Sequence, residues 1–373
     1  MLFCGYHFFY KEKKQTLSQL AVAVSIFFIF IGVTPFLSSL VFDANPKAIF
    51  RFSFEVGVAF FLFFSFYYLV RVKIITPRFF IYSIAILGAF AAFQVIFSLI
   101  GVSQFRRLYI GLGSVNYTAN TFTICFIAWI AIIYKEYIFV DSNKPRLFLY
   151  LFSTFIVFII VFLSGTRSAA IAFIIGLAMF QFFGMKSKKI NRMILFMLIL
   201  AVFFIIFLST RIDLSFFLDR FTYAQITRMA MIRFNQYAMS ITDLTFLEFL
   251  IGRPDFYTFS NSVSGSRIIN THNFILSVIR YNGILSFILV AFLGLTIIST
   301  YLKNYSLRRN LPRIRLSEAT IIVFLTIVFI YSMFSGGRMT RMFSFYIIIG
   351  YCIGFFDLMK SYSYKKHYKK FVL

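Results

Sequence analysis

The chain has 373 residues, 61% of them hydrophobic and only 13% charged, with a mean hydropathy of +0.88. A soluble domain carries about a quarter charged residues, so this composition excludes one and predicts an all-α, polytopic bundle of membrane-spanning helices. The net charge of +25 does not point to nucleic acid, because the basic residues are scattered between apolar runs instead of forming one footprint.

In windows of about 19 residues, about ten spans are expected, near 17–41, 52–70, 79–101, 118–134, 147–164, 168–184, 193–209, 272–302, 317–335 and 342–358. The first is too long, and too poor in small-x-small sites, for a cleaved leader, and no soluble domain is expected at either end. The chain thus reads as one polytopic membrane domain, residues 1–373, with a long loop at 210–271 inserted between spans. The 272–302 segment is long enough to bend or split at Gly283.

Basic residues set the expected orientation. With the N-terminus in the cytoplasm, the inner segments hold 23 of the 37 lysines and arginines and the much longer outer segments hold 13, with Arg280 inside a span. An even number of spans returns the C-terminus, with Lys365, Lys366, Lys369 and Lys370, to the same side. Of the 13 outer basic residues 12 are arginine, the exception being Lys47, whereas 15 of the 23 inner ones are lysine. The positive-inside bias does not separate the two residue types. Arginine presents a planar fork that grips phosphate at two points and lysine a point charge, so the outer face suits a phosphate or diphosphate. Ordinary interfacial anchoring is the plain alternative.

The 210–271 loop mixes large apolar residues at helical spacing with Arg, Asp and Gln, which predicts short amphipathic helices against the membrane or capping the bundle. Three places at the expected outer edge could carry chemistry. In the turn Ser164-Gly165-Thr166-Arg167-Ser168, a helical hairpin accounts for the glycine and the hydroxyls. It does not account for Arg167, a cation at a helix start, where the dipole favours anions. In Asn270-Thr271-His272-Asn273, Asn270 or Thr271 reads as a helix cap. His272 is the one outer side chain with an ordinary pKa suited to proton transfer near neutrality. Arg228 and Arg233 lie in the loop, followed by Ile251-Gly252-Arg253, and either anchor an interfacial helix or bind an anion. Arg280 falls two helical turns beyond His272 on roughly the same face, and a charge inside a span points to function by default. Asn116, Asn120 and Asn273 either bind sugar or cap helices.

Other chemistries lack their residues. The three cysteines and three histidines show no metal-ligand spacing, so neither a metal nor a cofactor is expected. The outer carboxylates do not form the pair that glycoside hydrolysis uses. There is no Asp-x-Asp pair and no Walker or Rossmann glycine pattern.

At these residues the chain resembles the O-antigen ligase and polymerase superfamily of bacterial membrane proteins. LSGTRSAAIAF resembles that family's Ser-x-Ser/Thr-Arg hairpin segment. RMAMIRFNQYAMSITDLTFLEFLIGRPDF resembles its Arg-led loop helix with a leucine-rich turn and glycine, and THNFILSVIRYNGILSFIL its His-Asn-x-x-Leu run ending in glycine. GLGSVNYTAN resembles a weaker asparagine segment. Together these cover roughly 110–300, in order. The resemblance implies a metal-independent glycosyltransferase of the bacterial inner membrane, with its site on the periplasmic side. Its donor would be a glycan carried on undecaprenyl diphosphate, and its acceptor a sugar hydroxyl on another glycan or on lipid A-core. It implies that Arg167 and Arg228 hold the diphosphate and that His272 orients or deprotonates the acceptor. Arg233, Arg280, Asn116, Asn120 and Asn273 are the substrate-binding candidates. The implied partners are these glycans, membrane lipids and a candidate chain-length regulator.

Tyr281 stands two residues before Gly283, where the family's ligases often carry an acid. This leans toward a repeat-unit polymerase over the O-antigen ligase. A flippase for the lipid-linked oligosaccharide would show internal repeats, broken helices and polar sites at mid-membrane; the polar candidates here gather at the outer boundary.

Overall fold

The computed structural model of the protein describes residues 19–42, 46–99, 115–139, 144–164, 166–183, 187–210, 219, 222–242, 244–252, 273–308, 312–335 and 343–362. Among them the chain forms twelve helices and no strand. These are α1 (Gln19–Phe42), α2 (Pro46–Arg71), α3 (Pro77–Leu99), α4 (Val115–Phe139), α5 (Lys144–Leu163) and α6 (Arg167–Phe183). They continue as α7 (Lys188–Ser209), α8 (Tyr223–Thr242), α9 (Phe246–Ile251), α10 (Phe274–Arg308), α11 (Pro312–Ser335) and α12 (Phe343–Tyr362).

Each of the ten apolar segments expected from hydropathy contains a helix. Six are long and apolar enough to cross a membrane, within α2, α3, α4, α5, α7 and α11, while α1, α6, α10 and α12 contain shorter apolar stretches. Helices satisfy their own backbone polar groups, which a span in hydrocarbon requires. Rows of large apolar side chains stand exposed on several of them, such as Phe148 and Phe152 on α5 and Phe196, Phe203 and Phe207 on α7. Such surfaces suit lipid and not water. This is an all-helical membrane protein.

The described chain divides into two compact units. One contains α1, α2, α9, α12, most of α10 and residues 231–242 of α8. There α12 packs closely on α2 because Gly350 and Gly354, four apart, present bare backbone on one helix face. A Cβ on Gly350 would lie 2.2 Å from the Phe63 carbonyl oxygen, and one on Gly354 2.7 Å from that of Tyr67. At this approach the Tyr67 hydroxyl donates to Asp357 at 2.9 Å and accepts from Arg71 Nη1 at 2.8 Å. Helix α2 ends with Lys73 in the left-handed region (φ 67), and Ile74 N–H closes back on the Leu69 carbonyl at 2.9 Å.

The other unit contains α3 to α7, residues 223–230 of α8 and most of α11. Its axis is α4, flanked by α3, α5, α6 and α7 and buried on every side from Thr118 to Glu136 except at Thr121. An all-round apolar helix belongs in such a place. Helix α3 comes so close that a Cβ on Gly88 would fall 2.3 Å from Cys125 Sγ. Helices α4, α5 and α6 follow one another through short turns and pack as neighbours, so the start of α4, the end of α5 and the start of α6 share one end of the unit.

The opposite end holds two polar clusters, each partly buried. Tyr82 donates to Glu136 at 2.8 Å, and Lys135 reaches the Tyr82 hydroxyl at 3.1 Å and Glu136 at 3.6 Å. Gln181 and Asn191 exchange amide hydrogen bonds at 3.0 Å in both directions, and Tyr134 joins them through Asn191 and Gln181. Reciprocal amide pairing leaves fewer buried donors and acceptors open, which low-dielectric surroundings demand.

Candidate functional site

The hairpin between α5 and α6 forms as its residue types require. Ser164 N–H continues α5 by bonding the Ile160 carbonyl at 3.0 Å, and its hydroxyl donates back to the Val161 carbonyl at 2.6 Å. The Thr166 carbonyl accepts the first bond of α6 from Ala170 at 3.1 Å, and the Ser164 and Thr166 hydroxyls lie 3.3 Å apart. The small polar residues of the turn are therefore engaged in building it, as expected. Arg167 is the first residue of α6. Its Nη1 reaches out of the hairpin to the backbone carbonyl of Gln225, 3.4 Å away, in the first turn of α8.

That contact ties one candidate, Arg167, to the helix that carries another. Arg228 follows Gln225 by three residues, one turn along α8 on the same side. It is exposed. Arg167 is thus tied to the helix turn that leads to Arg228, beside the N-terminal N–H groups of α6, where an anion is favoured. Gln225 was not a candidate from sequence. A backbone acceptor has no side-chain signature that could have marked it.

The same end of this unit carries the polar start of α4, where Thr118, Asn120 and Thr123 are all buried. Thr123 donates to its own helix at Ala119, 2.9 Å away, whereas the Thr118 hydroxyl has no hydrogen-bond partner among the described residues. Asn120 is 3% exposed, which makes it a buried group and not a surface one. Asn116 lies in the first turn of α4, and its side chain is outside what the structure describes.

Helix α8 forms where periodicity predicted an amphipathic loop helix. Ile226, Met229, Met231, Ile232 and Phe234 are exposed along it. Arg233 is half-buried. Five residues separate it from Arg228, about 140° around the helix, so the two arginines do not share a face.

The remaining described candidates lie in the unit built on α1, α2 and α12. Asn273 caps α10: its Oδ1 accepts from Leu276 N–H at 3.1 Å and its carbonyl from Ser277 at 2.9 Å. The cap is therefore Asn273, two residues beyond Thr271 and three beyond Asn270, because Phe274 begins the helix. Arg280 is 5% exposed and belongs to the buried interior. His272 lies outside the described residues, as do Asn270, Thr271 and Arg253. Among the described residues no group of three or more His, Cys, Asp or Glu stands placed to hold a metal ion.

Helix α10 is broken where its length suggested. Gly283 has φ 78 and ψ 170 inside an otherwise helical run. Beside the break, Asn282 is buried and donates from Nδ2 to Thr34 Oγ1 at 3.0 Å and toward the Ile31 carbonyl at 3.4 Å on α1.

No model of a known protein family matches the chain, and no curated protein matches it.

Proposed function

We propose that the protein polymerises oligosaccharide repeat units at the periplasmic boundary of a bacterial inner membrane, transferring glycan from undecaprenyl diphosphate to an acceptor sugar hydroxyl. The observation that carries this reading is the tie of Arg167, at the head of α6, to the first turn of α8, from which Arg228 projects one turn on. Two arginines from distant segments beside a helix N-terminus suit a diphosphate, whose charge grows as the bond to the sugar breaks. Arg167 and Arg228 would grip the leaving diphosphate. His272 would orient the acceptor hydroxyl or take its proton in a direct displacement at the anomeric carbon. Arg233, Arg280, Asn116, Asn120 and Asn273 are the groups through which the glycan and the lipid headgroup would be read, although Asn273 already caps α10.

One observation favours a second reading. A helix interrupted within an apolar segment, as α10 is at Gly283, recurs in membrane transporters, so a flippase for the same lipid-linked oligosaccharide is the alternative. A gel of surface polysaccharide from a strain lacking the protein separates them. A polymerase is expected to leave one repeat unit attached and to abolish longer ladders. Loss of every repeat, with the lipid-linked unit held on the cytoplasmic face, would indicate the flippase. Loss of every repeat with polymer stranded on undecaprenyl diphosphate outside would indicate a ligase to lipid A-core. Unchanged ladders would count against all three.

A further inference from the structure

Two glycines far apart in sequence meet backbone to backbone. Gly252 ends α9 and Gly283 breaks α10, and both have φ 78 with ψ near 170, a conformation essentially reserved for glycine. The contact is reciprocal. A Cβ on Gly252 would fall 2.4 Å from Asn282 N and 2.5 Å from Gly283 N. A Cβ on Gly283 would fall 2.1 Å from the Leu250 oxygen and 2.5 Å from the Leu250 carbonyl carbon. Neither position admits a side chain, on grounds of conformation and of space alike.

Both partners of this contact are themselves anchored. Helix α9 is closed by a capping box: Glu248 N–H bonds Thr245 Oγ1 at 3.3 Å, and Thr245 N–H bonds Glu248 Oε2 at 2.8 Å. Gly252 N–H then bonds the Glu248 carbonyl at 2.8 Å. On the other side Asn282 is fixed to Thr34 of α1. The first part of α10, residues 274–282, is consequently a separate half-helix. It is capped by Asn273 at one end and locked at the other by Gly252, and the buried Arg280 lies in its last turn.

We infer that Gly252 and Gly283 are positioning residues, a backbone lock that sets the half-helix carrying Arg280 for glycan transfer. The inference rests on the proposed function. A side chain at either glycine would push α9 and the half-helix apart by an ångström or more. Misplacement on that scale lowers turnover by about 100-fold without removing a binding group.

The test uses the full-length protein in proteoliposomes, with Gly252→Ala, Gly283→Ala and, as controls, Gly57→Ala and Gly294→Ala, whose added methyls would meet nothing within 4 Å. Initial rates are read with an undecaprenyl-diphosphate-linked repeat unit, and amide hydrogen exchange is followed peptide by peptide. The expected result for the two lock variants is a fall in kcat of about 100-fold with KM within about twofold. Exchange should rise in residues 274–282, and the controls should behave as wild type. Should a lock variant exchange faster throughout, Asn282→Ala decides, because it cuts the tie to Thr34 without adding an atom at the contact. The same pattern in milder form upholds the lock, and wild-type kcat and exchange overturn it. Lock variants with wild-type turnover, beside an active wild-type protein, overturn the positioning role alone. A wild-type protein that transfers no glycan overturns both readings.

Discussion

Replacing Arg167 distinguishes a structural tie from a working group. Its bond to the Gln225 carbonyl is 3.4 Å long and in an exposed position. A neutral-acceptor bond of that quality contributes at most about 1 kcal/mol to stability. Alanine at this position also removes a cation from the first residue of α6, where the helix dipole disfavours it by about 0.3–1 kcal/mol. These two effects oppose each other, and together they change the unfolding free energy of Arg167→Ala by less than about 1 kcal/mol. In a domain of this size that is a shift of roughly 2–4 °C in thermal midpoint at most. A guanidinium that stabilises charge developing on a diphosphate contributes far more to the reaction, about 2.7–4 kcal/mol, or about 100- to 1,000-fold in rate. Arg167→Lys keeps the charge and loses the two-point fork, and should fall between alanine and wild type. The assay is the initial rate of glycan elongation by purified protein in proteoliposomes, paired with thermal unfolding in detergent. An alanine variant that elongates at the wild-type rate refutes the chemistry. One whose melting collapses along with its rate shows that the arginine holds the fold instead.

Further outcomes follow from other parts of the molecule. Gly350→Ala places a methyl against the Phe63 carbonyl, and such overpacking should lower stability by about 1–3 kcal/mol, measurable as a lower midpoint in detergent with the protein still inserted. Glu136→Ala removes the acceptor of the half-buried Tyr82 hydroxyl and the ion-pair partner of the buried Lys135; taking the partner from a buried charge should cost about 3–5 kcal/mol, whereas exposed Arg51→Ala, which loses a pair with Glu55, should change stability by less than about 1 kcal/mol. His272→Ala should lower the elongation rate by about 100- to 10,000-fold with the protein still in the membrane, and an unchanged rate would remove the imidazole from the mechanism.

Some of this architecture could be seen in the residues beforehand and some could not, for physical reasons. Hydropathy locates helices because a span must be apolar over a fixed length, and the 272–302 run is long enough to bend or split at its glycine. Helical spacing in the long loop predicts short amphipathic helices, and α8 is a longer one of 20 residues. Partners set by tertiary contact left no such trace. Tyr67 meets Asp357 across 290 positions, and nothing near either residue names the other. The match between Gly252 and Gly283 is likewise a meeting of bare backbones: each glycine stands out in the sequence, but nothing there pairs them. Asn270, Thr271 and Asn273 are all competent caps of α10, and only the position of the first helical turn selects Asn273. The reach of Arg167 to a main-chain oxygen is of the same kind.

The burial of α4 has a consequence for biogenesis. Its span is the least hydrophobic of the six, with a mean hydropathy of 1.4 against 1.6 to 2.6 for the others, and 94% of it is enclosed by protein. Its threonines, asparagine, lysine and glutamate are tolerable because neighbours, not acyl chains, surround them. Alone in the bilayer during synthesis the segment would be a reluctant entrant, held at the translocation machinery until α5 emerged to shield it. Shortening the α4–α5 connection should therefore change how efficiently the nascent chain threads, and deleting α5 should lower the efficiency with which α4 inserts.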